Sequence, residues 1–268
     1  MSSDKDVMGD KKRHETSESF DNSDIRVIYE DSNLLAVNKP AGLLVHETGQ
    51  SAEVTLVDWF LEHSPEARGV GETMTTPSGK TLERSGVVHR LDRETAGVIV
   101  LAKNQDTYNH LKQQFQDRVV EKEYRAFVYG QLKESKGVIN KKIGRSRRDP
   151  RLRSAEFGAG GVKRTATTRW EVLKQGEFLN ESYAYLALFP VTGRTHQLRV
   201  HLKSIGKPIV GDVLYAPKLV TKENNLNLPS LALFAHKLTC LLPGKNEATT
   251  FTAPLPNSFL IAAANLSE

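Results

Sequence analysis

Apolar positions alternate along some stretches of the chain and recur at steps of three and four along others, and each change of period marks an element. Ile25-Arg26-Val27-Ile28-Tyr29-Glu30 suggests a strand and Asp31-Ser32-Asn33 a turn. Leu34-Leu35-Ala36-Val37-Asn38 is a second apolar run that stops at Lys39-Pro40-Ala41-Gly42, so the two runs read as a hairpin. Leu56, Val57, Phe60 and Leu61 have helical spacing and predict a helix over 53–62 that ends before Pro65; the Gly-, Ser-, Thr- and Pro-rich residues 64–85 read as a loop. Val87-Val88 and Val98-Ile99-Val100-Leu101 flank a polar stretch from His89 to Thr95, which places a loop between two buried strands. Asn104 fits an N-cap, and Tyr108, Leu111 and Phe115 predict a helix over 105–117. From Val120 to Tyr129 the pattern alternates, with Val120, Lys122, Tyr124, Ala126 and Val128 on one face and Gly130 closing the strand. Strands are predicted at 169–173, 183–189 and 232–242, and a helix through Leu198, Leu202 and Ile205 that Gly206 terminates. Residues 1–24 have no periodicity and read as a disordered acidic tail. No repeat or linker divides the rest, so 25–268 is expected to be one α+β domain.

Composition narrows this picture. Of 268 residues, 38% are hydrophobic and 26% charged, enough apolar material for a sizeable core. The one cysteine, Cys240, excludes an intrachain disulfide and an all-Cys metal cage; alternating with Leu238 and Leu242, it reads as a small buried hydrophobe. No apolar run approaches the roughly 18 residues of a membrane span, and the first residues lack the apolar segment of a secretory signal. A soluble, cytoplasmic protein without membrane contact is the expectation.

The net charge of +5 is unevenly placed. Residues 1–24 hold four Lys and Arg against seven Asp and Glu, whereas 141–169 hold ten against two. Such a basic cluster is the footprint of a polyanion partner; a solvated loop carrying the same charges fits the sequence equally. Gly158, Gly160 and Gly161 predict an exposed loop at its middle.

Three stretches carry candidate chemistry. In His89-Arg90-Leu91-Asp92-Arg93-Glu94-Thr95-Ala96-Gly97, ionisable groups crowd a loop between buried strands, where Asp92 could be a base, a nucleophile, a metal ligand or a turn residue. The His-Arg-Leu-Asp string superficially resembles a kinase catalytic loop, but no G-x-G-x-x-G loop and no Asp-Phe-Gly accompany it. In Thr192-Gly193-Arg194-Thr195-His196-Gln197-Leu198-Arg199-Val200-His201, Thr195 fits the N-cap of the next helix, with Arg194 just outside it and able to reach a carboxylate or phosphate. Tyr124 lies on a strand among charged neighbours, either as a core residue or as a platform for a nucleobase.

Taken together, these stretches resemble the RluA-type pseudouridine synthases. The resemblance rests on four motifs in family order: Val37-Asn38-Lys39-Pro40-Ala41-Gly42-Leu43-Leu44-Val45-His46; His89-Arg90-Leu91-Asp92 with Thr95 and Gly97; Lys122-x-Tyr124-x-Ala126-x-Val128-x-Gly130; and Gly193 to Leu202 followed by Gly206-x-Pro208-Ile209-x-Gly211-Asp212. Ala96 stands where the family usually has Ser, and residues 1–24 are too short for the small RNA-binding domain that many relatives carry. The resemblance implies a mixed, largely antiparallel central sheet with flanking helices and a catalytic cleft. It implies isomerisation of uridine in ribosomal or transfer RNA after base flipping, with no cofactor and no metal. Asp92 is implied as the catalytic carboxylate, as nucleophile or base, and Arg194 as its partner. Tyr124 is implied as the residue stacked on the base and a candidate proton acceptor at carbon 5, and Arg90 as an RNA contact near the vacated space. Arg147, Arg148, Arg151 and Arg153 are candidates for backbone contacts. A monomer is expected, since no long amphipathic seam appears. Two other readings stay open: a catalytically silent RNA-binding or assembly protein on the same scaffold, and a metal-dependent phosphodiesterase built on His89, Asp92, His196 and His201.

Overall fold

Leu34, Leu35, Ala36 and Val37 are all fully buried, so the second strand of the opening hairpin is covered on both faces. It is β2 (Leu34–Lys39), paired with β1 (Arg26–Glu30) across a turn in which Asp31 Oδ1 accepts the backbone N–H groups of Asn33 and Leu34. The computed structural model describes residues 24–47, 53–75, 79, 81–82, 84–149, 152–155, 159–220, 225–228 and 231–267. The expected N-terminal tail up to Ser23 lies outside them, as do Arg151 and Gly158.

Helix α1 (Leu56–His63) starts at a capping box: Thr55 Oγ1 accepts the Asp58 N–H and the Asp58 carboxylate accepts the Thr55 N–H. The short strands β3 (Met74–Thr75) and β4 (Thr81–Leu82) pair in the segment expected as a loop, ahead of β5 (Ala96–Ala102). Helix α2 (Gln105–Asp117) begins at Asn104, whose side chain accepts the Thr107 N–H, as its sequence implies. The chain continues through β6 (Glu121–Tyr129), β7 (Lys136–Asn140), β8 (Ile143–Arg145), β9 (Arg153–Ser154) and β10 (Gly160–Arg164). It then forms β11 (Thr167–Phe178), β12 (Glu181–Pro190), α3 (Gln197–Ser204) and α4 (Pro217–Val220). Last come β13 (Leu233–Leu241), β14 (Ala248–Thr252) and α5 (Asn257–Asn265).

The central sheet runs β1-β2-β5-β13-β6-β12-β11-β7, with β14 beside the far half of β13. Every pairing is antiparallel except β5 with β13. This is the α+β architecture with a mixed, largely antiparallel sheet that the sequence implies. Helix α2 is fixed to the sheet by Gln114, whose amide both donates to and accepts from the backbone of Leu241. Across the sheet Phe127 stacks on Tyr185 and meets Phe259 of α5 edge-on.

The parallel pair depends on Gly97. Its φ is +119°, and a Cβ there would lie 2.1 Å from the carbonyl oxygen of Ala235. Gly97→Ala is therefore expected to destabilise the fold by about 1–3 kcal/mol, read as a lower urea midpoint. An unchanged midpoint would mean that β5 and β13 separate freely there.

The basic segment departs from expectation. Its described part includes a three-stranded sheet, β10-β8-β9, packed through Ile143, Ala166, Val200 and Tyr215, and Gly160 and Gly161, expected in an exposed loop, stand on β10. Most of its residues face water, so no apolar alternation announces the strands. Strands β7 and β14 and helix α5 were also unmarked, because each buries only one or two side chains. Cys240 is buried as expected, and burial pushes its thiol up to about 11. Among the described residues no helix is long and apolar enough to cross a membrane.

Candidate active site

The loop from His89 to Thr95 is held from three sides. Below it, the His89 ring stacks on Phe115 at 4.7 Å and its Nε2 accepts the Val100 N–H at 3.1 Å. Burial, helped by Lys122, pushes His89 down to about 3, so its neutral ring is a peg for the loop. Leu91 points into the core. Asp92 keeps a fifth of its side chain exposed, and its carbonyl accepts the Thr95 N–H in a tight turn.

On the second side stands the end of the opening hairpin. Lys39 is fully buried, and its Nζ donates to the carbonyls of Pro40 at 2.8 Å, Leu43 at 2.9 Å and Arg93 at 3.1 Å. These bonds use all three donors of an ammonium group. Burial draws Lys39 down to about 7 against the pull of the Glu94 and Asp92 carboxylates. The Gly42 N–H bonds the same Arg93 carbonyl, so the Lys39-Pro40-Ala41-Gly42 turn is clamped to the Asp92 loop. The sequence marks Lys39 only as a lysine that closes the strand opened by the apolar run Leu34–Val37.

The third side is the arginine stretch. Gln197 is buried and fully bonded: its Oε1 accepts from the Thr192 hydroxyl and the Arg194 N–H, and its Nε2 donates to the Thr167 carbonyl and Thr168 Oγ1. Arg199 is 1% exposed and forks onto Asp212 at 2.9 and 2.7 Å, while its third nitrogen reaches Glu94 at 3.4 Å. Helix α3 is capped by His196, not by Thr195 as expected. His196 adopts a left-handed backbone, with φ 54°. Its ring lies between Tyr215, whose hydroxyl is 2.8 Å from Nδ1, and Asp92, whose Oδ1 is 4.0 Å from Nε2.

These elements enclose a cleft of about 430 Å³ that includes Arg90, Asp92, Tyr124, Arg194 and His196 among its walls. Tyr124 comes from β6, where it pairs with Leu188 and Ala235. Burial and the charge of Asp92 raise its pKa well above the usual tyrosine value, so it holds its proton at neutral pH. Arg90 stands exposed at the rim, 3.4 Å from Nε2 of His46, whose Nδ1 donates to the Glu47 carbonyl. The four motif stretches thus converge, and they bring Asp92, Arg90, Tyr124 and Arg194 to one cavity.

One expectation changes. The implied pairing of Arg194 with Asp92 is not formed: Arg194 Nε donates to the Thr165 carbonyl at 3.1 Å. Among the described residues the basic side chain within ion-pair distance of Asp92 is His196. The basic segment also comes close to the carboxylate. The Arg153 N–H of β9 donates to the Tyr215 hydroxyl at 3.0 Å, which touches His196. Arg147 and Arg148 are exposed and Arg153 half-buried. The phosphodiesterase reading meets an obstacle in the ring nitrogens. His89 is bonded to Val100, and His201 is bonded to Thr168 Oγ1 and the Lys141 carbonyl. Among the described residues no three His, Cys, Asp or Glu side chains converge as metal ligands.

Residues 33–204 match the family model described as RNA pseudouridylate synthase. The chain is 37% identical over 240 residues to an uncharacterized RNA pseudouridine synthase of Synechocystis, covering 89% of this chain and 68% of that protein. It is 36% identical over 244 residues to ribosomal large subunit pseudouridine synthase D of Borreliella burgdorferi, covering 91% and 69%. Two solved human structures have similar folds. RNA pseudouridylate synthase domain containing 1 has a TM-score of 0.67 at 25% identity, covering 89% of this chain and 86% of that one. Domain containing 4 has a TM-score of 0.63 at 27% identity, covering 90% and 92%.

Proposed function

The chain belongs to the RNA pseudouridylate synthase family, and from that premise we propose that its cleft isomerises a flipped uridine in ribosomal RNA with Asp92 as the reacting carboxylate. The observation that carries the reading is the charge pattern of the cleft. Among the described residues that line it, Asp92 is the one carboxylate, and Arg90, Arg118, Lys122, Arg194 and Arg199 are all cations. Cationic walls suit a polyanion, and a lone carboxylate supplies the single reactive group.

In the reaction the N1–C1′ bond of uridine breaks, the base turns, and a C5–C1′ bond forms. The C5 proton leaves and N1 ends protonated, so no group is lost and the change is an isomerisation. Asp92 acts at the sugar, either by attack or by removing the 2′ proton, and both need the ionised form. Neither C5 nor the sugar is accessible in a stacked helix, so the nucleotide must be extruded into the cleft. Tyr124 stacks on the base. Because it holds its proton, any part it takes in removing the C5 proton needs a second group to accept the phenolic one. Arg90, at the rim, contacts RNA beside the space that the flipped nucleotide leaves. Arg194 faces the same cavity and serves the RNA rather than the carboxylate. Residues 25–268 act as one catalytic unit.

Ribosomal RNA is preferred over transfer RNA because relatives 36% and 34% identical to this chain are named for the large ribosomal subunit. The test is to incubate the protein with transcribed large-subunit ribosomal RNA and with transfer RNA, and to map pseudouridines. New sites in ribosomal RNA are expected; conversion in neither RNA would overturn the activity, and conversion in transfer RNA alone the substrate.

The basic sheet β8–β10 holds the RNA backbone. Each phosphate neutralised contributes about −0.7 to −0.9 to the slope of log affinity against log salt. Replacing Arg147, Arg148, Arg151 and Arg153 together by Ala is expected to flatten that slope by about two units or more, roughly one for each phosphate left without its arginine. A slope equal to wild type would make the sheet a solvated surface.

A further inference from the structure

We propose that His196, locked by Tyr215, is a positioning residue that presents an Nε2–H to one oxygen of Asp92 and so orients the carboxylate for reaction. The proposal rests on Asp92 being the reacting group.

The backbone supplies the first argument. His196 is the N-cap of α3, a position where a side chain ordinarily bonds the helix N-terminus, yet its side chain makes no capping bond. It also holds a left-handed conformation, which non-glycine residues keep only where their surroundings enforce it. Both features aim the ring away from the helix and towards Tyr215 and Asp92.

Hydrogen-bond accounting supplies the second. The Tyr215 hydroxyl accepts the Arg153 N–H at 3.0 Å, and its own hydrogen then needs an acceptor. Nδ1 of His196, at 2.8 Å, is that acceptor. A ring that accepts at Nδ1 carries its proton at Nε2, the atom that faces Asp92 Oδ1. The rings of His196 and Tyr215 meet edge-on, at 81° and 5.7 Å between centroids, which fixes the imidazole plane.

The neighbouring cations are committed elsewhere, which supplies the third. Arg199 is held by Asp212 and Glu94, Lys39 by three carbonyls, and Arg194 by the Thr165 carbonyl. The 4.0 Å gap from Nε2 to Oδ1 exceeds a hydrogen bond, as often found in sites without substrate, where such bonds close on binding. The groups facing His196 are Asp92 and Glu94 from the loop, Arg199 from α3, Arg153 from β9, and Tyr215. Burial outweighs the two carboxylates and lowers the His196 pKa, which keeps the ring neutral at physiological pH. A neutral donor orients Asp92 without neutralising it.

The test uses single-turnover kinetics on a verified RNA substrate, with KM for the RNA and thermal unfolding followed alongside. His196→Gly removes the ring while accepting the left-handed backbone, so it should fold with a midpoint near wild type. Its rate constant is expected to fall about 10- to 100-fold at unchanged KM. Tyr215→Phe keeps the ring contact but frees the tautomer, and should lose rate in the same way. His196→Gln restores an N–H donor of similar reach and should recover most of the loss. Wild-type rates in both His196→Gly and Tyr215→Phe, or equal losses in the Gly and Gln variants, would overturn the proposal. Asp92→Asn in the same assay separates the two readings. If it is inactive while His196→Gly matches wild type, only the positioning role fails; if it is active, the premise fails.

Discussion

Asp92→Asn is expected to lower the rate of pseudouridine formation by at least about 10²- to 10⁴-fold while leaving affinity for the same RNA within a few-fold of wild type. The lower bound is what a positioned base contributes, and a nucleophile contributes more. The substitution keeps size and shape but removes the negative charge, so the side chain can neither attack the sugar nor take its 2′ proton. Folding should be untouched. What fixes the loop is the Lys39 and Gly42 bonds to the Arg93 carbonyl, the buried Leu91 and the Asp92–Thr95 backbone turn, none of which uses the Asp92 carboxylate. Binding should not suffer either. Losing the one carboxylate from a wall of Arg90, Arg118, Lys122, Arg194 and Arg199 makes the cleft more positive towards phosphate. Single-turnover conversion and equilibrium binding, measured on one verified substrate, separate the two effects. Turnover at the wild-type rate would remove Asp92 from the mechanism.

The parts of this site that the sequence reveals are those carried by local pattern. Alternation placed Tyr124 on a strand, and the apolar run after Thr95 placed Asp92 on the loop that enters β5, because burial on the sheet dictates both; Val87-Val88, expected as a second strand, makes only an isolated bridge from Val87 to Leu101. Resemblance then brought Asp92, Arg90, Tyr124 and Arg194 together, and the structure gathers them in one cleft. What stayed hidden depends on contacts distant in sequence. Lys39 reaches a carbonyl 54 positions away, and nothing around it in the chain hints at Arg93. His196 looked like a residue inside a helix because its neighbours in the chain announce neither its left-handed backbone nor its contact with Tyr215, 19 positions on. The basic sheet was invisible because its strands are short and most of their residues are exposed or half-buried, which leaves no hydrophobic period. Charge patterning found its location but not its form.

The second large effect concerns stability. Arg199→Met is expected to destabilise the fold by about 3–5 kcal/mol, the usual consequence of breaking a buried ion pair by removing one partner. Arg199 and Asp212 are 1% and 0% exposed, and the pair is bidentate. Without the guanidinium, Asp212 is left buried with only the N–H groups of Leu214 and Tyr215 on its Oδ1. Asp212→Asn should be milder, because Arg199 keeps Glu94 at 3.4 Å and the Tyr215 ring 5.2 Å from its guanidinium carbon. The double variant should lose less than the sum of the singles, since neither charge is then stranded. Urea unfolding at neutral pH reads all three, with an unchanged m-value showing that the unfolded state is not the cause. The pair also bears on the chemistry. Arg199 ties α3 to Glu94, two residues from Asp92, and Asp212 sets the backbone of Tyr215, which holds His196. Arg199→Met should therefore lose turnover at temperatures well below its unfolding transition. A loss under about 1 kcal/mol would instead place the pair with solvent-screened surface ion pairs, contradicting its burial.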